Sequence, residues 1–283
     1  MSIDIGPGFY DAVDYADYAR IDAFNGSSIV HMMRSPLHYR WHKDNPQPPT
    51  PAMILGTITH TMILEPNRIG DFVVWGEKRD QKVRLGKVWD AFKAEHEGQT
   101  IITRKERDSM VGIAAAVRRN KCVADLLREG RSELSMVWKD KAIARLFKGR
   151  IDYLREDGKP VIVDMKTTRD SRPFKFGNQA YSLGYHIKLA LYQNGYYALT
   201  GEMAPVKIIA VENKPPDETA VYNVPPEVLQ QGQDDYARLM MRILECEESG
   251  VWPGANELEL DLSLPTYAYA ETSDDLSDLE LIA

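Results

Sequence analysis

Two short segments carry residue types that do chemistry together. Lys148-Gly-Arg-Ile-Asp-Tyr153 holds Asp152 among apolar neighbours, and Val161-Ile-Val-Asp-Met-Lys-Thr-Thr168 holds an Asp-x-Lys pair. Both read as strands. Side chains alternate faces along a strand, so Asp164 and Lys166 share one face. Between the two lies Glu156-Asp157-Gly158-Lys159, a turn signal. A hairpin centred there brings Asp152 roughly opposite Val163 and Asp164. Two carboxylates and an amine then meet at one spot. Hard oxygen ligands with retained waters suit Mg²⁺. A lysine beside such an ion can orient, or help deprotonate, a water that attacks phosphorus. An Asp-x-Lys on a strand also fits an exposed ion pair of little consequence. With Asp152 across the turn, both readings of these residues stand open.

Other elements must hold this hairpin in place. Asn25-Gly-Ser-Ser predicts an N-cap before a short helix over 29–34, and Ser35-Pro36 starts a second helix to about 43. Four prolines in 45–51 predict an extended connector. A helix over 52–65 carries Ile54, Leu55, Ile58 and Met62 on one stripe and stops at Pro66. Helices are also expected over 88–97 and, opened by the capping box Thr103…Glu106, over 103–128. The period then changes. Leu134, Met136 and Trp138 alternate as in a strand, and strands follow over 143–154, 160–167, 206–212 and 220–224. Helices over 176–199 and 225–249 complete the pattern. This order gives an α/β fold: a sheet flanked by helices, with a helical N-terminal elaboration.

Composition agrees with a soluble globular chain of 283 residues, 43% hydrophobic and 27% charged, which excludes a wholly disordered protein and a collagen-like fibre. No apolar run reaches the length of a membrane span, and the first twenty residues lack the features of a secretory signal. Cys122 and Cys246 are too few for a disulfide framework and read as reduced core thiols. The expected location is the cytoplasm. The net charge of −7 sits at the ends: residues 1–19 and 271–283 hold nine acids and no base, leaving about +2 for 20–270. A nucleic-acid partner is therefore allowed, but not one coated by bulk charge alone. No phosphate-binding Gly-x-x-x-x-Gly-Lys-Ser/Thr loop is present, so no ATP-driven motor is expected.

Asp152, Asp164 and Lys166 match the pattern of PD-(D/E)xK nucleases. Further segments resemble the exonuclease VIII (RecE) family of phage-type recombination exonucleases within that superfamily. These are Ser35-Pro36 with Tyr39, Gly56-Thr-Ile-Thr-His60 with Leu64-Glu65-Pro66, Glu133 before an alternating strand, Asp164-Met-Lys-Thr-Thr168, and Tyr185-His186 leading to Tyr192. They span roughly 20–265 in the right order. The resemblance implies a restriction-endonuclease-like core and a single nuclease domain over 1–283: a mainly helical part at about 20–130, a catalytic α/β core at about 131–265, and an acidic tail at 266–283. It implies a Mg²⁺-dependent exonuclease that digests one strand of duplex DNA from its 5′ end. The 3′ overhang would pass to a RecT-type single-strand annealing protein. A homo-oligomeric ring around the duplex would keep the enzyme on DNA. His60, Asp152 and Asp164 would be metal ligands, with the Met165 carbonyl as another. Lys166 would contact the scissile phosphate or the attacking water, Glu133 would help hold a metal or its water, and Tyr192 would support the site. Imidazole accepts Mn²⁺ readily, so Mn²⁺ should substitute.

The family's helix often carries Gln-x-x-x-Tyr, whereas the residue four before Tyr192 is Lys188; its charge suits a phosphate. Two other functions fit the same residues: an endonuclease or single-strand-specific repair nuclease, and a non-catalytic DNA-binding subunit. The intact Asp152–Asp164–Lys166 set argues against the last. The basic run 78–87 reads as a lid or as a solvated loop, and Arg118, Arg119 and Lys121 as a helix's wet face. Most of Tyr181, Tyr185, Tyr192, Tyr196 and Tyr197 should be core, with one or two free to stack on a base. His31, His38, His42, His96 and His186 lack zinc-ligand spacing. The tail mixes leucines with acids, as either a docking peptide or a disordered end.

Overall fold

Apolar side chains alternate from Leu134 to Trp138 and run almost unbroken from Val161 to Met165. Both stretches are central strands in the computed structural model, which describes residues 5–76 and 83–264. The first half of the chain forms β1 (Gly8–Tyr10), α1 (Tyr15–Arg20), α2 (Gly26–Ile29), α3 (Pro36–Asp44), α4 (Pro51–Leu64), β2 (Phe72–Trp75), α5 (Lys87–Glu95), β3 (Thr100–Thr103), α6 (Arg104–Arg119) and α7 (Lys121–Leu126). The second half forms β4 (Gly130–Lys139), β5 (Leu146–Arg155), β6 (Val161–Thr168), α8 (Pro173–Ser182), α9 (Tyr185–Thr200), β7 (Val206–Glu212), β8 (Thr219–Val224) and α10 (Pro226–Ser249).

Six strands make one mixed sheet in the order β1-β4-β5-β6-β7-β8. Only β6 and β7 are parallel, and α8 with α9 supplies the crossover that a parallel pair requires. One face packs Leu134, Met136, Trp138, Phe147, Ile162 and Ile208 against α9, α10 and Ile29 of α2. The other packs Val163, Met165, Ile209 and Val211 against Ile113 and Val117 of α6, Val123 and Leu126 of α7, and Leu64 of α4. Each such buried side chain contributes about 1.5–3 kcal/mol. The second layer continues outward: Ile58 and Met62 of α4 meet Ile102, Met110 and Ala114. So α4, which carries His60, is gripped from two sides. No helix among the described residues is long and apolar enough to cross a membrane.

Four features differ from the sequence expectations. The helix expected over 103–128 is broken at Asn120, although its capping box is present. The Asn120 side chain accepts the Cys122 and Val123 N–H groups (3.0 and 3.3 Å) and donates to the Thr219 carbonyl (2.9 Å). A tertiary bond to β8 thus fixes a break that the continuing apolar stripe conceals. The helix expected over 176–199 is α8 and α9, separated by Gly184 at φ +64°. A Cβ there would lie 2.6 Å from Val30 Cγ1, so this turn needs glycine for both its φ and its space. Cys122 is exposed rather than a core thiol; Cys246 is buried. The N-terminal part also holds the short strands β1, β2 and β3, with β1 joining the main sheet. The basic run falls outside the described residues at 77–82, and the acidic tail 266–283 falls outside them entirely. Within the described part, Arg84 donates to the Ile101 carbonyl (3.2 Å) and covers Trp89.

The crossover helix α9 and the long α10 touch at Gly232, where a Cβ would fall on the His186 carbonyl oxygen. Backbone cannot yield as a flexible side chain can. Gly232→Ala should therefore cost about 1–3 kcal/mol in urea unfolding. Gly177→Ala, with open space around it, should be neutral or stabilising by up to ~1 kcal/mol. Equal stability of the two variants would contradict this packing.

Candidate active site

The hairpin of β5 and β6 pairs Arg155 with Val161, Leu154 with Ile162 and Tyr153 with Val163. The next pair would be Asp152 with Asp164, and there the ladder stops. The Met165 N–H donates instead to the Asp152 carboxylate, Oδ2, at 2.6 Å. A side chain has replaced a strand's backbone as acceptor, so the strands part. Farther back, the same edge of β5 is closed by the N-terminal arm: Phe24 N–H donates to Leu146 O (3.0 Å) and Lys148 N–H to Phe24 O (2.7 Å). Residues 149–152 face the opening between these two closures.

A second device widens the exchange between layers. Glu133 has φ +50°, a left-handed conformation that costs a non-glycine residue about 1–3 kcal/mol. It reverses the faces of its strand. Leu134, Met136 and Trp138 point to the α9 side, yet Ser132, two residues before Leu134, donates to the Leu64 carbonyl of α4 (2.7 Å). On β5, Ile151 belongs to the α9-side core and Tyr153 to the opposite one. The reversal leaves Glu133 Oε1 3.7 Å from Nδ1 of His60.

Side chains of both layers meet in the opening. From α4, His60 Nε2 donates to the Met165 carbonyl at 2.9 Å and lies 3.8 Å from Asp152 Oδ2. From β6, Lys166 Nζ is 2.5 Å from Asp164 Oδ2, 3.7 Å from Asp152 Oδ2 and 3.2 Å from the Met165 carbonyl. Ligating atoms of His60, Glu133 and Asp152 lie within 4.8 Å of one another. Burial works against charge on all of these groups. It pushes Asp164 up, with Lys166 opposing. It pushes Lys166 down, but Asp164 and Asp152 outweigh it and hold the ammonium charged. It pushes His60 down, yet Asp152 and Glu133 outweigh it and raise the imidazole to about 9. Three carboxylates thus converge on one permanent cation and one histidine. Asp164 Oδ2 is buried without a directed hydrogen bond. Oxygen donors, an imidazole and surplus negative charge fit a divalent cation.

The remaining expected residues lie around this cluster. Tyr192 on α9 lies against Gly149 of β5: a Cβ there would be 3.0 Å from its ring. Burial, then Asp164 and Asp152, push its phenol well up. Lys188 is half-buried, and burial followed by Lys166 lowers it to about 8. Of the tyrosines, Tyr185 and Tyr196 are buried, whereas Tyr181 and Tyr197 are exposed. Tyr185, expected only as part of the family pattern and the tyrosine-rich helix, lays its ring 5.4 Å from the Lys166 ammonium, and one residue, Gln179, escaped the sequence reading. Gln179 on α8 donates to the Tyr185 hydroxyl (3.2 Å) and accepts from Thr168 Oγ1 (2.8 Å), tying α8 to the end of β6. A polar residue inside a helix read as continuous gave no signal. His60, Lys166, Tyr185, Gln179 and the exposed Arg169 line a cleft of about 770 Å³.

A mixed sheet whose central hairpin presents Asp152, Asp164 and Lys166 beside a helix-borne histidine defines the PD-(D/E)xK class of α/β domain. The chain belongs to the family described as a PDDEXK-like domain of unknown function (DUF3799), whose model matches residues 26–259. Among solved structures it is similar to a candidate exonuclease from Eubacterium rectale, with TM-score 0.60 and 15% identity over 95% of this chain and 97% of that one. A likeness to SSO0001 covers 50% of this chain and 62% of that one at TM-score 0.31 and 15% identity, too slight to bear on the fold. No curated protein matches the sequence. Family and site together support a nuclease.

If the cluster takes a divalent cation, MgCl₂ or MnCl₂ should raise the melting temperature. At ~100 times Kd the gain is about 2.7 kcal/mol. Asp152→Asn, whose amide oxygen can still accept the Met165 N–H, should fold and lose most of the gain. An equal rise in both proteins would place the ion elsewhere.

Proposed function

We propose that this chain is a Mg²⁺-dependent exonuclease acting on double-stranded DNA ends, digesting 5′ to 3′ and leaving 3′ overhangs for recombination by single-strand annealing. The observation that carries the nuclease reading is the convergence of Asp152, Asp164, Glu133, His60 and Lys166 in one cluster, of which His60 and Lys166 line the cleft. Polarity and setting rest on the resemblance to exonuclease VIII. So do a RecT-type annealing partner, a homo-oligomeric ring and a cytoplasmic location. A core of about +2 offers little unspecific attraction to DNA, which favours enclosure over bulk charge.

His60, Asp152, Asp164 and the Met165 carbonyl would hold the ion, with Glu133 beside them. When bound, the ion supplies positive charge at phosphorus and lowers the pKa of water. Lys166, kept charged by Asp164, would donate to a phosphate oxygen or hold the attacking water in line. Tyr185 and Tyr192 would flank the ammonium and the carboxylates and restrict their rotamers. Arg169 at the mouth of the cleft would meet the backbone of the incoming strand.

Linear duplex labelled at its 5′ or 3′ end, incubated with Mg²⁺ or EDTA beside a closed circle, tests this. We expect Mg²⁺-dependent release of mononucleotides from the 5′ label and an intact circle. Asp164→Asn and Lys166→Gln should each lower the rate by at least ~10²-fold. A cut circle would make the protein an endonuclease. No cleavage with Mg²⁺ or Mn²⁺ would leave a DNA-binding subunit without catalysis.

A further inference from the structure

A second cavity of about 280 Å³ adjoins the catalytic cleft, and Ser182 and Leu183 at the end of α8 line both. Its other wall is basic. It carries His31 from the turn Val30–Met33, Arg34 after that turn, and His38 and His42 from α3. His38 and His42 are four residues apart and share a helix face. His31 stacks on His42, ring centroids 3.7 Å apart and planes 12° from parallel. Among the described residues no carboxylate lines the cavity. Across the three imidazoles, the one hydrogen bond among the described residues joins His38 Nδ1 to Ser35 Oγ (2.6 Å), which fixes the ring and leaves Nε2 open.

Two further cations extend this group. Arg34 is exposed and Lys188 half-buried, and neither has an ion-pair partner among the described residues. Lys188, on α9, packs its side chain at Gly26 of α2, where a Cβ would lie 3.1 Å from its Cγ, and holds its ammonium 6.0 Å from the ring of Tyr185, which lines the catalytic cleft. Its charge reaches His31 on one side, and Lys166 acts on it from the other. Lys166 and Lys188 near one tyrosine ring, and His31, His42, His38 and Arg34 lining the adjoining cavity, thus gather nitrogen donors on one side of the site. Like charges gathered without a counter-charge destabilise a fold unless they are neutral or bound to an anion. Burial first, then the neighbouring cations, holds His31 and His38 below the usual histidine value. A transition metal fits poorly: stacked parallel rings direct their lone pairs into separate planes, and Arg34 and Lys188 repel a cation. An oxyanion fits the donors, the charge and the position.

We propose that His31, His38, His42, Arg34 and Lys188 form a phosphate-binding track, which holds the backbone of the nucleic-acid strand that passes the end of α8 into the catalytic cleft. This rests on the nuclease reading above. A bound phosphate draws protons onto the histidines, so binding tightens as pH falls through the histidine range. Arg34, the histidines themselves and Lys188 act on His31 and His38; α10, which also packs on the turn and on α3, brings Arg238, Arg242 and Glu245 to the neighbouring Met32, and its acid Glu245 is paired with Arg242 (3.2 Å).

The test is fluorescence anisotropy of the full chain in EDTA with duplexes ending in a 5′-phosphate or a 5′-hydroxyl. The wild type is compared with the triple variant His31→Gln/His38→Gln/His42→Gln and with His38→Arg. Far-UV circular dichroism reports folding. We expect the triple variant to bind about tenfold more weakly near pH 6, with its log K against log salt slope reduced by about two, since each phosphate contact contributes ~0.9. Its affinity should be flat between about pH 6 and pH 8, where the wild type weakens. His38→Arg, with a permanent charge, should tighten binding near pH 8. Loss on both duplexes assigns internal phosphodiesters to the track; loss confined to the 5′-phosphate duplex assigns the terminal phosphate. A triple variant with wild-type affinity, slope and pH profile, together with an inert His38→Arg, overturns the track while leaving the nuclease reading standing. A wild type that binds neither duplex in EDTA overturns the track, and the cleavage assay with Mg²⁺ decides the nuclease reading separately.

Discussion

One hydrogen bond governs the arrangement: the Met165 N–H donates to the Asp152 carboxylate rather than to the neighbouring strand. A hairpin continued through Asp152 and Asp164 would close the sheet, and side chains on its two faces could not meet. Because the ladder ends at Tyr153 and Val163, the opening admits His60 from one layer, while Asp164 and Lys166 reach it from β6. The acceptor is itself a prospective ligand. Its negative charge therefore does two things, ending the strand pairing and marking the place where cations collect.

The rest of the fold braces that opening. α4 is held between the sheet and the β2–β3 layer, which fixes the depth of His60. The left-handed backbone at Glu133 turns β4 over just where β5 leaves β6, and burial on both faces offsets its cost. On the far side, Lys148 donates to the carbonyls of Tyr18, Ala19 and Ile21, and Arg150 to that of Val13. These bonds pin the N-terminal arm along the stretch of β5 that leads to Asp152. Lys148 is buried, and burial lowers it to about 8. Its three carbonyl partners replace the water that it gives up.

Much of the sheet was legible in the sequence. Strands with period-two or continuous apolar patterns lie within a few residues of their expected bounds, because their burial is decided by local pattern and a recognisable turn. The hairpin through Asp157-Gly158 also gave the proximity of Asp152, Asp164 and Lys166. The breaks at Asn120 and Gly184 were not legible. In each, a contact distant in sequence, the Thr219 carbonyl or the Val30 side chain, ends a helix that its own periodicity would continue. Short β1, β2 and β3 carry too few residues for a pattern. Glu133 entered the reading through family resemblance alone, since a left-handed glutamate has no local signature; His60 entered chiefly that way, its place one turn after Gly56 on a helix face being only a modest signal. Gln179 had no signal of either kind. The basic cavity was hidden for a similar reason: His31, His38 and His42 lack ligand spacing in sequence and come together through the packing of α3 on the turn before it.

The most direct test of the central claim is the anomalous diffraction of crystals soaked in MnCl₂. The account predicts a manganese peak in the opening between β5 and β6, within bonding distance of Asp152, Asp164 and His60, with Asp152→Asn crystals weak or empty there. A fully loaded protein with manganese bound elsewhere, or an Asp152→Asn crystal with an undiminished peak at the same place, would contradict it.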